Sequence, residues 1–261
     1  MPEFMKRAPG NFCWAEYNAN DPLAARQFYT NVFGWQMSEM AEKMSDGSTY
    51  AMANIGGKNV CGVMQLPAQA KKMGAPPHWL AYVAVEDCDQ MTQKCTTLKG
   101  NVMVQPMNVG PGRMSVIADP TGGMVAMWQS MKSMGPYLYD EPNAMCWNEL
   151  MTSNMDIAGG FYAKLFGWQT TPMDMGGHAY TVFKAGDTMI GGMFGTPPEM
   201  KGTPSNWSTC FRVNHCDDTC KVIAKHGGKV LSEPMDIPTV GRYAVCMDPQ
   251  GAMFTLLQPP K

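Results

Sequence analysis

The sequence predicts an α+β protein of four βαβββ units, which form two curved eight-stranded half-barrel cups. Three observations lead to this fold class. The chain repeats itself at a nearly constant spacing, each repeat twice places one helix between short strands, and glycines or prolines mark where these elements end. The length of 261 residues also suits two domains of ordinary size.

The duplication is visible in matching motifs. The segment Cys13-Trp14-Ala15-Glu16-Tyr17 recurs 133 positions later as Cys146-Trp147-Asn148-Glu149-Leu150. Asp119-Pro120-Thr121-Gly122 recurs as Asp248-Pro249-Gln250-Gly251, and the spacing has drifted to 129. Such a drift indicates loops of different length between otherwise equivalent elements.

The repeat sets the predicted domain boundaries. We expect a first domain over residues 1–132, a linker over 133–142 and a second domain over 143–261. The linker contains Gly135-Pro136 and Glu141-Pro142, which break regular structure.

The first unit of the first repeat can be read element by element. Residues 12–17 alternate as a strand does, and Asp21-Pro22 supplies an N-cap and a first-turn proline for a helix that ends at Phe33, before Gly34. Strands are then predicted over 35–40, 49–55 and 60–66, with Gly56-Gly57 as the hairpin turn between the last two.

The same order follows in the second unit. It predicts a strand over 79–85 and a helix over 87–98. Three strands follow, over 101–105, 113–118 and 124–129.

Composition removes several functional classes. A net charge of −2 and a pI near 6.1 give no basic surface for nucleic acid. Residues 1–10 contain no apolar run, so we expect neither a signal peptide nor a membrane span, and a cytoplasmic location. The nine cysteines have no framework spacing, which favours reduced thiols. Neither a phosphate-binding loop nor a Gly-x-Ser-x-Gly elbow is present.

The paired βαβββ units, the helix carrying Phe28-Tyr29 and Phe33-Gly34-Trp35, and the Asp-Pro-x-Gly turn resemble the glyoxalase/bleomycin-resistance/dioxygenase (vicinal oxygen chelate) superfamily. The resemblance spans nearly the whole chain. It is closest to tandem two-domain glyoxalase-like members, whose halves open with Trp-x-Glu and share a Gly-Arg segment, here Gly112-Arg113 and Gly241-Arg242. It implies a cup for a small molecule, on a fold that serves lyases, epimerases, ring-cleaving dioxygenases and drug-sequestering proteins.

The resemblance also implies where a metal would bind. The first position falls on Trp14 and Trp147, the second on Leu80 and Ser208, and the third on Ala126 and Thr255. The remaining position aligns only loosely, around Met64 and Gln65 or Met193 and Phe194. We therefore predict no metal cofactor, since a divalent ion needs three or more converging ligands. A register error of one residue would turn other side chains inward, which leaves a divalent metal site as an alternative.

Glu16 and Glu149 are the predicted catalytic acid/base residues. Strand alternation places each on the same face as Trp14 or Trp147, and a carboxylate beside an indole in a partly dry cup could remove a proton next to a carbonyl. The structural alternative is that each glutamate accepts hydrogen bonds or pairs with Arg113 or Arg242 and braces the sheet.

The predicted ligand-binding set combines aromatic and polar positions that share the expected inward phase or belong to family-like segments. Its members are Trp14, Tyr82, Arg113, Trp128, Trp147, Ser208 and Arg242. Plain core packing is the alternative for the aromatic members.

The histidines at 78, 178, 215 and 226 have no equivalents in the other repeat and are interpreted as incidental. His215-Cys216 with Cys220 has the spacing to hold a soft metal on one helix face, although a closed site needs a fourth ligand. A surface helix start is the simpler interpretation.

The functional hypothesis is a cytoplasmic superfamily member that binds a small carbonyl-bearing or aromatic molecule without the usual metal. Its alternatives are a metal-dependent lyase or dioxygenase and a non-catalytic sequestering protein. The sequence leaves open whether the protein is an enzyme. The expected partner is a small molecule, with no nucleic acid or membrane, and the chain is a pseudo-dimeric monomer or a homodimer.

Overall fold

The structure is a computed structural model that describes residues 7–41, 43–44, 47–132, 135, 137–174 and 179–260. The helices are α1 (Pro22–Phe33), α2 (Ala68–Lys72), α3 (Cys88–Thr97), α4 (Met155–Phe166) and α5 (Cys216–Lys225), and a 3₁₀ turn covers Pro198–Met200. The strands of the first repeat are β1 (Phe12–Ala19), β2 (Gln36–Glu39), β3 (Ala51–Ile55), β4 (Lys58–Gln65), β5 (His78–Ala84), β6 (Asn101–Val109), β7 (Gly112–Ala118) and β8 (Met124–Ser130).

The second repeat continues the series. Its strands are β9 (Met145–Thr152), β10 (Gln169–Asp174), β11 (Ala179–Ala185), β12 (Thr188–Gly195), β13 (Asn206–Arg212), β14 (Lys229–Val230), β15 (Met235–Ile237), β16 (Gly241–Met247) and β17 (Met253–Gln258). The predicted strands and helices of the first repeat are all present, with ends shifted by a few residues. The short helix α2 was not predicted.

The helix cap and turn residues identified in the sequence have the expected geometry. The Asp21 side chain accepts from the backbone N–H groups of Leu23 and Ala24, both at 3.0 Å, and so caps α1. Gly34 ends this helix with φ of 72°. Gly56 and Gly57 both have positive φ, which a tight turn between β3 and β4 requires.

The strands form two mixed sheets with equivalent topology. The first has the order β2-β3-β4-β1-β5-β8-β7-β6, and the second has β10-β11-β12-β9-β13-β17-β16-β14, with β15 paired to β16. In each sheet the first strand of a repeat runs parallel to its fourth, which places Glu16 opposite Gly62 and Glu149 opposite Gly192. The predicted α+β class with internal duplication is confirmed.

The chain packs into two compact units, and each draws on both sequence repeats. Unit 1 contains Met1–Cys13, Ala81–Met134 and Trp147–Ser208, and unit 2 contains Trp14–Leu80, Gly135–Cys146 and Thr209–Lys261. The domain boundaries at 132 and 143 describe the sequence repeats and stay a prediction.

A buried chain of hydrogen bonds occupies the core of each unit. In unit 2, the Trp79 indole donates to the Tyr29 hydroxyl at 2.9 Å, and this hydroxyl donates to the Asp248 carboxylate at 3.0 Å. Unit 1 repeats the chain with Trp207, Tyr162 and Asp119, at 2.8 and 2.9 Å. The aspartate of each Asp-Pro-x-Gly turn therefore anchors a helix tyrosine that comes from the other repeat.

Over the described residues, no helix has the length and apolar character needed to cross a membrane.

Candidate functional site

In unit 2, the predicted catalytic residue Glu16 belongs to a hydrogen-bonded triad. The Trp14 indole Nε1–H donates to the Tyr50 hydroxyl at 3.0 Å, and this hydroxyl is hydrogen-bonded to Glu16. Trp14 and Glu16 are two residues apart on β1 and are 6% and 7% exposed. Because both reach one hydroxyl, the prediction that they share a strand face is confirmed.

Unit 1 contains the equivalent triad. The Trp147 indole donates to the Tyr180 hydroxyl at 3.0 Å, and that hydroxyl donates to Glu149 Oε1 at 2.8 Å. All three side chains are partly exposed, whereas Trp14 and Glu16 are buried. The same arrangement therefore has more contact with solvent in unit 1 than in unit 2.

A glycine makes room for each tyrosine. Gly62 lies opposite Glu16 on β4, and a Cβ atom there would be 1.8 Å from the Tyr50 hydroxyl oxygen. Gly192 plays the same part on β12, where a Cβ would be 2.2 Å from the Tyr180 hydroxyl. Real Cβ atoms do not approach heavy atoms so closely, so any larger residue would displace the tyrosine.

The chemistry of the groups sets the direction of each triad. An indole nitrogen can only donate, so the tyrosine oxygen must act as its acceptor. The single hydroxyl proton is then directed to the glutamate. Each glutamate therefore acts as the acceptor at the end of its triad, as Glu149 Oε1 does at 2.8 Å.

The pKa of Tyr50 lies well above its ordinary value. Burial is the main cause, and the neighbouring Glu16 carboxylate raises the pKa further, while the hydrogen bond from Trp14 lowers it. Tyr50 therefore stays protonated through the neutral pH range and keeps its proton available for Glu16.

Sequence reasoning missed both tyrosines. Tyr50 immediately precedes β3 and Tyr180 is the second residue of β11, the strands that lead to the turns at Gly56 and Gly186, and the two tyrosines are related by a shift of 130. Their equivalence in the two repeats was the available signal. Neither tyrosine occupies one of the metal-ligand positions that the resemblance implies, so the resemblance does not mark them.

The predicted aromatic residues Tyr82 and Trp128 lie together in unit 1. Their ring centroids are 6.4 Å apart in an edge-to-face arrangement. Gly112 allows this placement, since a Cβ there would be 2.4 Å from the Trp128 ring. Ser208 is half-buried on β13.

The two predicted arginines form ion pairs at the starts of helices. Arg113 donates to both carboxylate oxygens of Asp89 at 2.6 and 2.8 Å, in unit 1. Arg242 forms the equivalent two-bond pair with Asp217 in unit 2. Both aspartates are in the first turn of their helix, so each arginine links that helix to its neighbouring strand.

The histidines do not join the triads. His215 is the N-cap position of α5, and His226 ends that helix beside Asn31, with 3.3 Å between side-chain nitrogens. His78 Nδ1 is 2.8 Å from the Pro76 carbonyl, and burial lowers the pKa of this histidine. His178 lies outside the described residues.

The family's metal positions carry unsuitable donors in this chain. The Trp14 and Trp147 indole N–H groups donate to tyrosine hydroxyls, and an indole nitrogen has no lone pair that could coordinate a metal. The side chains of Leu80 and Ala126 contain no atom that could coordinate a metal. The Gln65 amide nitrogen donates to the Ala19 and Asn20 carbonyls. Thr255 has a buried hydroxyl without a partner among the described residues, but one hydroxyl does not complete a coordination sphere.

Across the described ranges, no group of three or more His, Cys, Asp or Glu side chains is placed to hold a metal ion. The residues present therefore do not fit the divalent ion that the fold family implies.

Comparison with known proteins defines the class. A family model for the Glyoxalase/Bleomycin resistance protein/Dioxygenase superfamily matches residues 12–127 and 128–256. The chain belongs to this superfamily, as its sequence repeats and shared motifs led us to expect.

Two named proteins are similar to this chain over nearly its whole length. CFP32 of Mycobacterium bovis, which is provisionally named a glyoxylase, is 39% identical to this chain, over 99% of it and 98% of the relative. DauV of Streptomyces sp. (strain C5), named an anthracycline biosynthesis protein, is 32% identical over 96% of this chain and 94% of its own length.

Solved structures agree on the fold. LapB, a 2,3-dioxygenase from Pseudomonas sp. KL28, is similar with a TM-score of 0.65 and 10% identity, over 96% of this chain and 92% of that one. The Mn(II)-bound glyoxalase from Novosphingobium aromaticivorans gives 0.64 at 15% identity, over 96% and 83%. At these identities, the likeness concerns the fold alone.

Proposed function

We propose that this protein binds a small aromatic carbonyl compound at its Trp-Tyr-Glu triads, with Glu16 and Glu149 as acid/base groups and without a divalent metal. One observation carries the proposal: both units contain the same directed hydrogen-bond chain, which ends on a carboxylate and is preserved by a glycine opposite it.

The chemistry that suits this arrangement is proton transfer next to a carbonyl. A carboxylate is a weak base in water, but its position against an indole and a tyrosine fixes its orientation and limits its hydration. The tyrosine holds one oxygen by its hydrogen bond, as Tyr180 does for Glu149 Oε1. The carboxylate is thereby oriented toward a bound carbonyl compound, whose adjacent C–H proton it would accept.

The ligand class rests on the surrounding side chains and on the relatives. Indole and phenol rings provide flat apolar surfaces that stack on flat ligands. Trp147 and Trp128, which are partly exposed in unit 1, supply such surfaces, whereas Trp14 is 6% exposed. DauV is named for anthracycline biosynthesis, which adds support for an aromatic ligand. Metal chemistry has no place in the proposal, because the donor set does not fit a divalent ion.

The test uses α-tetralone, an aromatic ketone with exchangeable hydrogens next to its carbonyl. Binding is measured by calorimetry, and hydrogen–deuterium exchange at that carbon is followed by NMR in deuterated buffer. We expect wild-type protein to bind the ketone and accelerate exchange. Glu16→Gln combined with Glu149→Gln should lower the exchange rate by about 10²-fold or more, the usual worth of a general base.

The matched control is Glu233→Gln, which removes an exposed carboxylate outside the triads and should change neither quantity. The single variants show whether one triad or both act. Exchange that survives in the double variant would refute the role of the glutamates, and absence of binding would refute the ligand class.

Sequestration without turnover is the second candidate, and the core of the protein supplies the observation that favours it. There, the buried Tyr29 hydroxyl also donates to a carboxylate, that of Asp248, so a tyrosine–carboxylate hydrogen bond occurs in this protein where it holds the core. Binding by wild-type protein without accelerated exchange would support this candidate.

The proposal also includes the location of the protein and its oligomeric state. All nine cysteines are free in the structure, which supports a reducing, cytoplasmic location. The chain acts as a pseudo-dimeric monomer or as a homodimer, which sedimentation would distinguish.

A further inference from the structure

A buried side-chain amide on β1 has a nitrogen without a hydrogen-bond partner. Asn18 is 3% exposed, and its Nδ2 is out of contact with solvent and has no partner among the described residues. This nitrogen carries two N–H donors. A buried donor without a partner costs about 1–3 kcal/mol, so native structures rarely keep one unless a ligand or an ordered water completes it. The unpaired amide therefore marks a place for a hydrogen-bond acceptor from outside the chain.

Asn18 lies on the same face of β1 as the triad residue Glu16, because side chains two residues apart on a strand point to one face. On the neighbouring strand β4, Glu16 lies opposite Gly62. Asn18 lies opposite Met64, two residues further along. All four residues belong to unit 2. The unpaired amide is thus next to the carboxylate on the strand face that carries the triad.

The spacing of the two groups suits the two ends of a reacting ketone. The rise of a strand separates the backbones of Glu16 and Asn18 by about 6–7 Å. A base at the carbon next to the carbonyl and a donor at the carbonyl oxygen each contact the ligand over about 3 Å. Two such contacts and the short ketone group between them fill this distance. Met64 beside the amide has a flexible side chain that can move to admit the ligand.

We propose that the Asn18 side-chain amide donates a hydrogen bond to the carbonyl oxygen of the ligand at the unit 2 triad. The inference rests on the function proposed above and adds the group that holds the ligand's oxygen.

The reaction balances with these two residues. Glu16 accepts the proton next to the carbonyl, the C–H electron pair forms a C=C bond, and the C=O π pair moves to the oxygen. The Asn18 N–H stabilises the negative charge on this enolate oxygen, as donors do in an oxyanion hole. The Glu16 carboxyl group exchanges its proton with solvent and returns one to the carbon, which restores the ketone.

Unit 1 has no amide at the equivalent position. Met151 takes the place of Asn18, at the same shift of 133 that relates Glu16 to Glu149. Met151 is 4% exposed and lies opposite Phe194 on β12. An apolar side chain therefore satisfies the packing at this place, and the strand does not require an amide for its structure.

Asn18→Met, which copies unit 1, separates a role in ligand binding from a structural role. The unpaired amide nitrogen supplies no hydrogen bond to the fold, so its replacement by an apolar side chain should keep or raise the thermal unfolding midpoint of the ligand-free protein. An amide that stabilises the fold would give a lower midpoint. The variant should nevertheless lose the hydrogen bond to the ligand.

The experiment binds α-tetralone, labelled with ¹³C at the carbonyl, to full-length protein carrying Glu149→Gln, which leaves Glu16 as the only triad glutamate. A hydrogen bond to the carbonyl oxygen moves the carbonyl ¹³C resonance to higher frequency. We expect Asn18→Met in this background to move a bound-ketone resonance to lower frequency. It should also slow hydrogen–deuterium exchange about 10²-fold, the usual effect of losing one oxyanion donor, with a smaller change in affinity.

The matched control is Asn101→Met, which removes an exposed amide on β6 and should change neither the resonance nor the exchange rate. An unchanged resonance and an unchanged rate in Asn18→Met would overturn the inference and leave Glu16 as the base. A lowered unfolding midpoint in that variant would also overturn it, because the amide would then hold the fold. Absence of ketone binding by wild-type protein would instead refute the proposed function, and this inference with it.

Discussion

Each unit contains two hydrogen-bond chains of side chains. Each of them consists of an indole, a phenol and a carboxylate, but the two lie in different surroundings. The core chain of unit 2 joins Trp79, Tyr29 and Asp248, and the strand chain joins Trp14, Tyr50 and Glu16. The tyrosine of each receives a hydrogen bond from the indole. The difference lies at the carboxylate.

The core carboxylate is held by its own turn. Asp248 Oδ1 accepts from the backbone N–H groups of Gln250 and Ala252 at 2.8 and 2.9 Å, besides the bond from Tyr29. Glu16 projects from the middle of β1 opposite Gly62, where the glycine leaves space for Tyr50. A carboxylate fixed by backbone donors serves structure. A carboxylate on a longer side chain, oriented by a tyrosine, is suited to meet a ligand.

The largest expected effect is loss of the core chain. Asp248→Ala removes the acceptor for a tyrosine hydroxyl and two backbone N–H groups in the core, which should lower the free energy of unfolding by about 3 kcal/mol. Urea denaturation measures this change. Asp217→Ala, which breaks an exposed ion pair in the same unit, should change it little. Equal effects would contradict a special role for the core aspartate.

The pH dependence of stability tests the same chain. Burial, and next the Asp248 carboxylate, raise the pKa of Tyr29 well above 10.0. A raised folded-state pKa contributes stability that is present below the unfolded pKa and is lost as pH rises above it. The free energy of unfolding should therefore fall above pH 10, and Tyr29→Phe should reduce this slope by about 1.4 kcal/mol per pH unit. If urea titrations gave the same pH dependence of the free energy of unfolding for Tyr29→Phe and wild-type protein, the raised pKa of Tyr29 would be contradicted.

The strand chain can be broken through its glycine. Gly62→Ala places a methyl group on the Tyr50 hydroxyl and should displace it from Glu16, lowering affinity for α-tetralone about 10-fold, or about 1.4 kcal/mol. Gly160→Ala is the control, because its methyl group meets no atom within 4 Å. If Gly62→Ala bound α-tetralone with unchanged affinity, Tyr50 would have no role in ligand binding.

The smallest effect is expected at an arginine of the predicted ligand set. Arg113 is engaged by Asp89 at the start of α3, so Arg113→Gln should change α-tetralone affinity by less than about twofold. Calorimetry of this variant measures the change in its affinity for α-tetralone. A tenfold loss would return Arg113 to the binding residues.

The fold and part of the site could be predicted because their signals are local. Asp21 and Gly34 mark the ends of α1, and strand alternation correctly placed Trp14 and Glu16 on one face. Tyr50 could not be placed by such reasoning, because it reaches Glu16 through the pairing of β3 with β4, which is set by long-range register.

The pairing of elements within the compact units also could not be predicted from the sequence. Tyr29 of the first repeat meets Asp248 of the second, and Tyr162 of the second meets Asp119 of the first. A repeat in sequence shows which residues are equivalent. It does not show which copy of one element packs against which copy of another, since both pairings bury the same residue types.

The measurement that tests the central claim most directly is NMR of the indole N–H groups during titration with α-tetralone. The resonances of the seven tryptophans are assigned by single Trp→Phe variants. We predict that the Trp14 and Trp147 resonances shift as the ketone binds, while those of Trp79 and Trp207, in the core chains, stay in place. Binding that shifts the core resonances, or leaves Trp14 and Trp147 unchanged, would contradict the account.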